Sequence, residues 1–496
     1  MKLLWFHLMP YPHLPPDFRD KHPSVWVDID PKLFDAERAH LVYNEYLDEF
    51  AYAEQLGFDG LCVNEHHSNG YGLMPSPNLM ASILARSTQN AAICVMGNSL
   101  ALYNPPTRVA EEMAMLDCIS GGRLIAGFPV GTPMDTCYAY GQNPSSLRAR
   151  YYEAHDLVIK AWTSPKPFAF NGRFNQQRYV NPWPRPVQKP HPPIWIPGGG
   201  SVETWQWCAE MDYVYCYLSY FGYKAGEATM KGFWREVARQ GKHPNPYRAG
   251  FLQFVGVGET HDEAMKLYRE PAEYFYNACL HLDPRFANPP GYTSEASIRS
   301  RVQGMVSQAA GGNGKVATAQ AVQAQGARAG HEISRDWAGI LDKGYVIAGS
   351  PDEVADQLRR ASRTSMSATS CCFCNSATWA AISPATTPSC SPRECCRRSR
   401  ICSTTNGKIS GGPSRCRANS GRSTSIASSH DRAARTHGPV WGRGPAHLGE
   451  GTGRADRLSC RLRRPAALDR VPGEAVAVAP RVRAIAAGVP RRRARA

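Results

Sequence analysis

The first 360 of the 496 residues lack any excess of positive charge: they hold 33 Lys+Arg against 36 Asp+Glu, a net of −3. No phosphate-tracking surface is implied for this part of the chain, so nucleic acid is not an expected partner. Long hydrophobic runs are missing as well. "LLWFHLM" at residues 3–9 runs straight into Pro10 and is too short for a signal-peptide core or a membrane span. Cysteines at metal-ligand spacing are also lacking. The seven before residue 361 (Cys62, Cys94, Cys118, Cys137, Cys208, Cys216 and Cys279) are scattered, several inside apolar runs where a thiol acts as a small hydrophobe. No nicotinamide-binding fingerprint occurs. Together these absences set a reduced, cytoplasmic globular protein as the expectation, with neither a membrane nor nucleic acid as partner.

What is present is a long alternation of short β-type runs and helical patterns, the signature of βα units around a parallel sheet. Strands are expected at residues 3–9, 58–64, 91–102, 122–131, 193–200, 213–219 and 249–258. Helices are expected at about 37–56, 76–88, 105–120, 145–162, 201–211 and 260–280, the last with a kink at Pro271. A short hairpin is expected at 168–180. Seven consecutive βα steps point to an α/β fold, a (β/α)8 TIM barrel with insertions. "SPDEVADQLRR" at 350–360 adds a helix with Ser350 as N-cap, Pro351 in its first turn and two acids against the dipole.

The pattern then stops, which divides the chain into a barrel at 1–361 and a tail at 362–496. Residues 361–496 hold 24 Lys+Arg, 23 of them Arg, against 6 Asp+Glu, and so carry the chain's basicity. Nine of the 16 cysteines lie there too. A basic nucleic-acid arm and a cysteine-rich metal module both fit poorly, because the CC-x-C and CC-x5-C spacings match no zinc pattern. A shifted reading frame of a GC-rich gene explains the composition better. The eighth strand and its helix are therefore expected to be lost or replaced by an aberrant tail, disordered or loosely docked. Strands one and seven would then have unpaired edges.

Two motifs carry chemistry. "EHH" (Glu65, His66, His67) closes the second strand, on the face where barrel enzymes place their active sites. Adjacent residues of an extended chain point to opposite sides, so the two histidines could not share one metal ion, and no metal site is expected. "PIWIPGGGSVETW" at 193–205 runs a strand through three glycines into a helix N-terminus, where backbone N–H groups can hold an anion.

With "NPPTRVAEEMAMLDCISGGRLIAGF" (104–128) between them, these motifs resemble the bacterial luciferase-like flavin monooxygenases over about residues 1 to 360. The resemblance implies reduced FMN as cofactor, with dioxygen and an organic molecule as substrates. It implies His66 as the catalytic, proton-moving residue, with Glu65 and His67 supporting it. The flavin ring would pack on Asn98, Ser99 and Leu100, near a non-proline cis peptide. Its phosphate would lie at Gly199, Gly200, Ser201 and Thr204, with Arg148. An Arg of the family after the fourth strand is Val130 here, which removes one phosphate contact. Apart from the resemblance, Met9, Tyr71, Tyr103, Tyr217 and Tyr220, with Trp5, lie at expected strand ends, where they either line an apolar pocket for a small, uncharged, largely hydrophobic substrate or pack the rim. A separate NAD(P)H-dependent flavin reductase would supply reduced flavin, and a completed barrel would form a homo-oligomer. Three other readings share some of these residues: a deazaflavin (coenzyme F420)-dependent dehydrogenase, a non-catalytic flavin-binding barrel and a metal hydrolase.

Overall fold

The computed structural model describes residues 1–373 except Ser219, Ala296, residues 300–332 and Ala368. Eight parallel strands with helices between them curl into a TIM-barrel-like α/β fold. They are β1 (Lys2–Phe6), β2 (Gly60–Val63), β3 (Ala92–Met96), β4 (Leu124–Gly127), β7 (Ile194–Gly198), β8 (Val214–Tyr217), β9 (Ala249–Val257) and β11 (Thr369–Phe373). The antiparallel hairpin of β5 (Phe168–Asn171) and β6 (Gln176–Val180) is inserted after the Pro144–Thr163 helix. A short strand, β10 (Val346–Gly349), adds to the far end of β9.

Pairing runs β11–β1–β2–β3–β4–β7–β8–β9, and β9 also pairs with β11. Each of the eight strands therefore has a parallel neighbour on both sides.

Register fixes which side chains face inward. Leu4 pairs with Gly60 and Gly60 with Ala92, while Phe6 pairs with Cys62 and Cys62 with Cys94. A Cβ on Gly60 would lie 3.2 Å from the Leu4 side chain, so this set shares the inner face. His7, of opposite parity, packs on Tyr46 and Phe50 of the Ala36–Gln55 helix. Alternation along β2 thus carries the inner face on to Asn64 at the strand's C-terminal end.

Local chemistry sets the helix starts. Asp35 accepts from the backbone N–H groups of Glu37 and Arg38. Asn143 caps the Pro144–Thr163 helix, which begins on a proline whose fixed φ suits the first turn. Ser350 and Glu353 form a capping box for the Pro351–Ser365 helix.

Four differences from the sequence expectation have clear causes. The third strand ends at Met96 rather than running to 102. The Met96–Gly97 peptide is cis, and Leu100–Leu102 forms a 3-10 turn. Glycine is required on both sides of this crossing, since a Cβ on Gly97 would sit 1.8 Å from the Gly127 carbonyl oxygen. The helix expected at 260–280 runs through Pro271 as His261–Tyr274 and differs only in its last turn, where the chain continues as a π-helix at Phe275–Cys279. The Gly222–Arg239 helix was not expected, although Met230, Phe233, Trp234 and Val237 repeat at helical spacing and are buried.

The fourth difference concerns the eighth strand. The Pro351–Ser365 helix crosses the expected boundary at 361/362, and Thr369–Phe373 then fills the slot between β1 and β9. The expected unpaired edges of the first and seventh strands are therefore paired. A backbone ladder requires strand-competent residues, not a particular sequence, and "TSCCF" meets that need. Two anchors hold its approach: Trp234 Nε1 donates to the Ser365 carbonyl and Ser367 Oγ to that of Ala249. The rest of the arginine- and cysteine-rich tail, residues 374–496, lies outside the described residues. So do the readings attached to it: the missing last helix, the frame shift, the basic arm and the metal module.

Candidate active site

His66 lies just beyond β2, with its ring 11% exposed. Its Nδ1 is 2.8 Å from Asp135 Oδ2. A carboxylate oxygen accepts, so Nδ1 carries the proton and Nε2 is left to exchange one. Asp135 sits in a π-helical turn (Met134–Ala139) after β4 and is buried. It also accepts from Thr132 Oγ1 at 2.7 Å, the His67 backbone N–H at 2.8 Å and Asn69 Nδ2 at 3.2 Å. Four donors on one carboxylate fix its position, and through it the imidazole.

Glu65 and His67 form a separate pair, His67 Nε2 to Glu65 Oε1 at 2.8 Å. Glu65 also accepts from the Ser99 backbone N–H at 2.7 Å and Tyr103 Oη at 3.1 Å. It thereby ties the end of β2 to the segment after β3. Asn98 Nδ2 extends the chain of bonds to Tyr103 Oη at 2.8 Å. Burial, reinforced by the Glu65 charge, pushes the Tyr103 hydroxyl far above its usual range, so it remains a neutral donor. The two histidines thus address different carboxylates. Among the described residues no group of three or more His, Cys, Asp or Glu side chains could hold a metal ion.

An aromatic wall stands over His66. Trp26 and Tyr71 stack at 3.9 Å, and both present to the imidazole ring at 5.1 Å and 4.7 Å. Tyr220 meets Tyr71 edge-on at 5.6 Å, and Phe275 backs both. Of the expected pocket residues, Tyr71 packs on His66 and Tyr220 on Tyr71. Met9 is buried with φ +54°, its backbone N–H held 2.8 Å from His7 Nδ1. Tyr103 belongs to the Glu65 network instead. Tyr217 packs on the Gly222–Arg239 helix, where a Cβ on Gly226 would meet its ring at 2.7 Å. Trp5 sits edge-on against Phe58. Strand parity separates these last two from the inner face.

Arg148, expected to hold an anion with the turn after β7, meets two hydroxyls at that turn. Arg148 Nη2 donates to Ser201 Oγ at 3.1 Å, and Nη1 lies 3.4 Å from Thr204 Oγ1. Both hydroxyls sit at the N-terminus of the Val202–Met211 helix, whose dipole adds positive potential. Gly200 takes φ +114° in the turn, and nothing lies within 4 Å of a Cβ on Gly199, so the approach is open.

Glu203 was not anticipated here. Its Oε2 accepts from Ser201 Oγ and Ser297 Oγ, each at 2.7 Å, and its other oxygen from Ser294 Oγ. Burial pushes this carboxyl up, but the hydroxyls of Ser294, Ser297 and Ser201 outweigh it and hold it at about 2. A folded value below the ordinary 4.5 gives stability that is complete above that pH and lost as pH falls through about 2. The melting-temperature advantage of the native chain over Glu203→Gln should follow this course in an acid titration. An advantage unchanged down to pH 2 would contradict it.

Asp135 is the main residue of the candidate site that the sequence reading missed. Its signal was the Thr132/Asp135 pair at turn spacing in "GTPMDT", but only the fold shows that it meets a histidine 69 positions earlier.

The profile described as luciferase-like monooxygenase matches residues 30–368. The chain is 27% identical over 180 residues to the oxygenase component of a flavin-dependent trigonelline monooxygenase from Acinetobacter baylyi, covering 35% of this chain and 48% of that one. It is 31% identical over 123 residues to the alkanal monooxygenase beta chain of Vibrio harveyi, covering 25% and 38%. The chain spans about half the length of the curated relatives it matches. Its fold is shared with the oxygenating constituent of 3,6-diketocamphane monooxygenase from Pseudomonas putida, in complex with FMN. That likeness has a TM-score of 0.53 at 17% identity and covers 76% of this chain and 93% of the other. The fold is also shared with a coenzyme F420-dependent secondary alcohol dehydrogenase, with a TM-score of 0.50 at 15% identity, covering 78% and 99%.

Proposed function

The chain belongs to the luciferase-like monooxygenase family, and from that premise we propose that it uses reduced FMN and dioxygen to oxidise a small, uncharged organic substrate. The observation that carries this reading is the His66–Asp135 pair at the C-terminal ends of the strands. It sits under the Trp26–Tyr71 wall.

The residues present fit the cofactor. Arg148, Ser201, Thr204 and the Gly199–Gly200 turn would take the phosphate, and Asn98–Leu100 after β3 would bed the ring. Asn98 Oδ1 is buried without a hydrogen-bond partner in the described structure. When bound, reduced flavin would supply the two electrons that activate dioxygen, one of whose oxygen atoms goes to the substrate while the other leaves as water.

The protein's own part is positioning, drying and proton movement. Asp135 holds the imidazole so that Nε2 gives up or takes the proton. The Trp26–Tyr71 wall, backed by Tyr220 and Phe275, would limit water around the imidazole ring, and Glu65 would fix the ring bed through Ser99 N–H. A separate NAD(P)H-dependent reductase, a cytoplasmic location and self-association belong to the same proposal. The first is supported by a relative named as an oxygenase component. Among the described residues, no helix is long and apolar enough to cross a membrane.

Arg148 provides a direct test. A hydrogen bond to a charged group contributes about 1.5–3 kcal/mol, so Arg148→Ala should weaken FMN roughly ten- to a hundredfold while riboflavin, which lacks the phosphate, changes little. Fluorescence titration of both ligands checks this, and equal losses would contradict the phosphate assignment.

A further inference from the structure

We propose that Asn64 binds substrate, holding a neutral carbonyl or amide group at the mouth of the sheet beside His66. This rests on the monooxygenase reading above and narrows its substrate class from hydrophobic molecules to those carrying one uncharged hydrogen-bonding group.

Asn64 directly follows β2 and is 2% exposed. It continues the inner face of Gly60 and Cys62, two residues before His66. Both its Oδ1 and its Nδ2 are buried without a hydrogen-bond partner, and it is the one side chain among the described residues with two such atoms. Burying an amide in that state is unfavourable. The strand positions that lead up to it, Cys62 and Val63, and Met96 at the end of the neighbouring strand carry buried apolar side chains, and an apolar side chain would continue that packing at lower cost. The amide makes physical sense where a ligand completes its bonds.

The surrounding charges define the ligand. Glu65 already accepts from three donors and Asp135 from four. A cation therefore finds no uncommitted carboxylate, and an anion would face two negative groups. Arg148, the cation described at the site, is engaged with Ser201 and Thr204 at the turn after β7. A neutral carbonyl oxygen can accept from Nδ2, and a neighbouring N–H or O–H can donate to Oδ1. No bond is made or broken at Asn64.

The test uses calorimetry on the full chain, with and without FMN, and matched probes: cyclohexanone against methylcyclohexane, and benzamide against toluene. The native protein should prefer the carbonyl member of a pair by at least about tenfold. Asn64→Leu should lose that preference through a roughly ten- to hundredfold weaker carbonyl affinity, with FMN affinity unchanged. If Asn64→Leu does not fold, Asn64→Ser should still lower the preference.

Three results would overturn the assignment: no carbonyl preference in the native protein, a preference that survives both substitutions, or FMN binding weakened as much as the probes, which would give the amide to the cofactor. If FMN binds neither protein but the Asn64-dependent preference is present, the flavin reading fails while the Asn64 assignment stands.

Discussion

His66→Ala should fold as the native chain does and lose about 10²–10⁴-fold in turnover with saturating reduced flavin, the usual contribution of one positioned proton-transfer group. Folding should survive because the ring supports little else. Asp135 keeps the Thr132 hydroxyl, the His67 N–H and Asn69 as donors, so no buried charge is orphaned. Trp26 and Tyr71 keep their mutual stack. Substrate oxidation per flavin consumed, measured beside the melting curve, checks the result. A variant with native turnover would remove His66 from the chemistry, and one that fails to fold would make it structural.

Deleting residues 369–496 should leave the protein insoluble or unfolded. Thr369–Phe373 pairs with Lys2–Trp5 on one side and Gly250–Phe254 on the other. Its removal leaves two long rows of backbone donors and acceptors without partners, each bond worth about 1 kcal/mol. Against a total stability of about 5–15 kcal/mol, several such losses are enough to unfold the domain, and bare strand edges also template aggregation. Soluble expression and hydrogen exchange at β1 and β9 provide the measurement. A truncated chain that is soluble and melts like the full one would show that this strand adds nothing.

The elements legible in the sequence were those with strong local signals. The helix after Asn143-Pro144 and the capped helix from Ser350 announce their own starts. The strand-to-helix turn at residues 198–201 was likewise readable from its glycines, whereas Arg148, which meets the Ser201 and Thr204 hydroxyls, was named only through the family resemblance.

What escaped depends on pairing over distance. "TSCCF" carries no strand period of its own and becomes β11 because β1 and β9 offer a ladder on both sides. Asp135 looks like a turn acid until β2 and β4 are placed near one another through β3. Tyr217 read as a pocket residue because it lies near a strand's end, but its place one residue beyond Cys216 turns it toward the Gly222–Arg239 helix. Asn64 passed as part of an apolar run, and only its burial without partners draws notice.

The central claim is that this protein binds reduced FMN and lets the bound flavin react with dioxygen. It is tested most directly by anaerobic titration with reduced FMN, followed by rapid mixing with oxygenated buffer and absorbance recording. The account predicts saturable binding. Reoxidation should follow a time course distinct from that of free flavin, and His66→Ala should alter it. Absence of saturation would contradict the account. So would saturation with reduced coenzyme F420 alone, in a complex inert to oxygen.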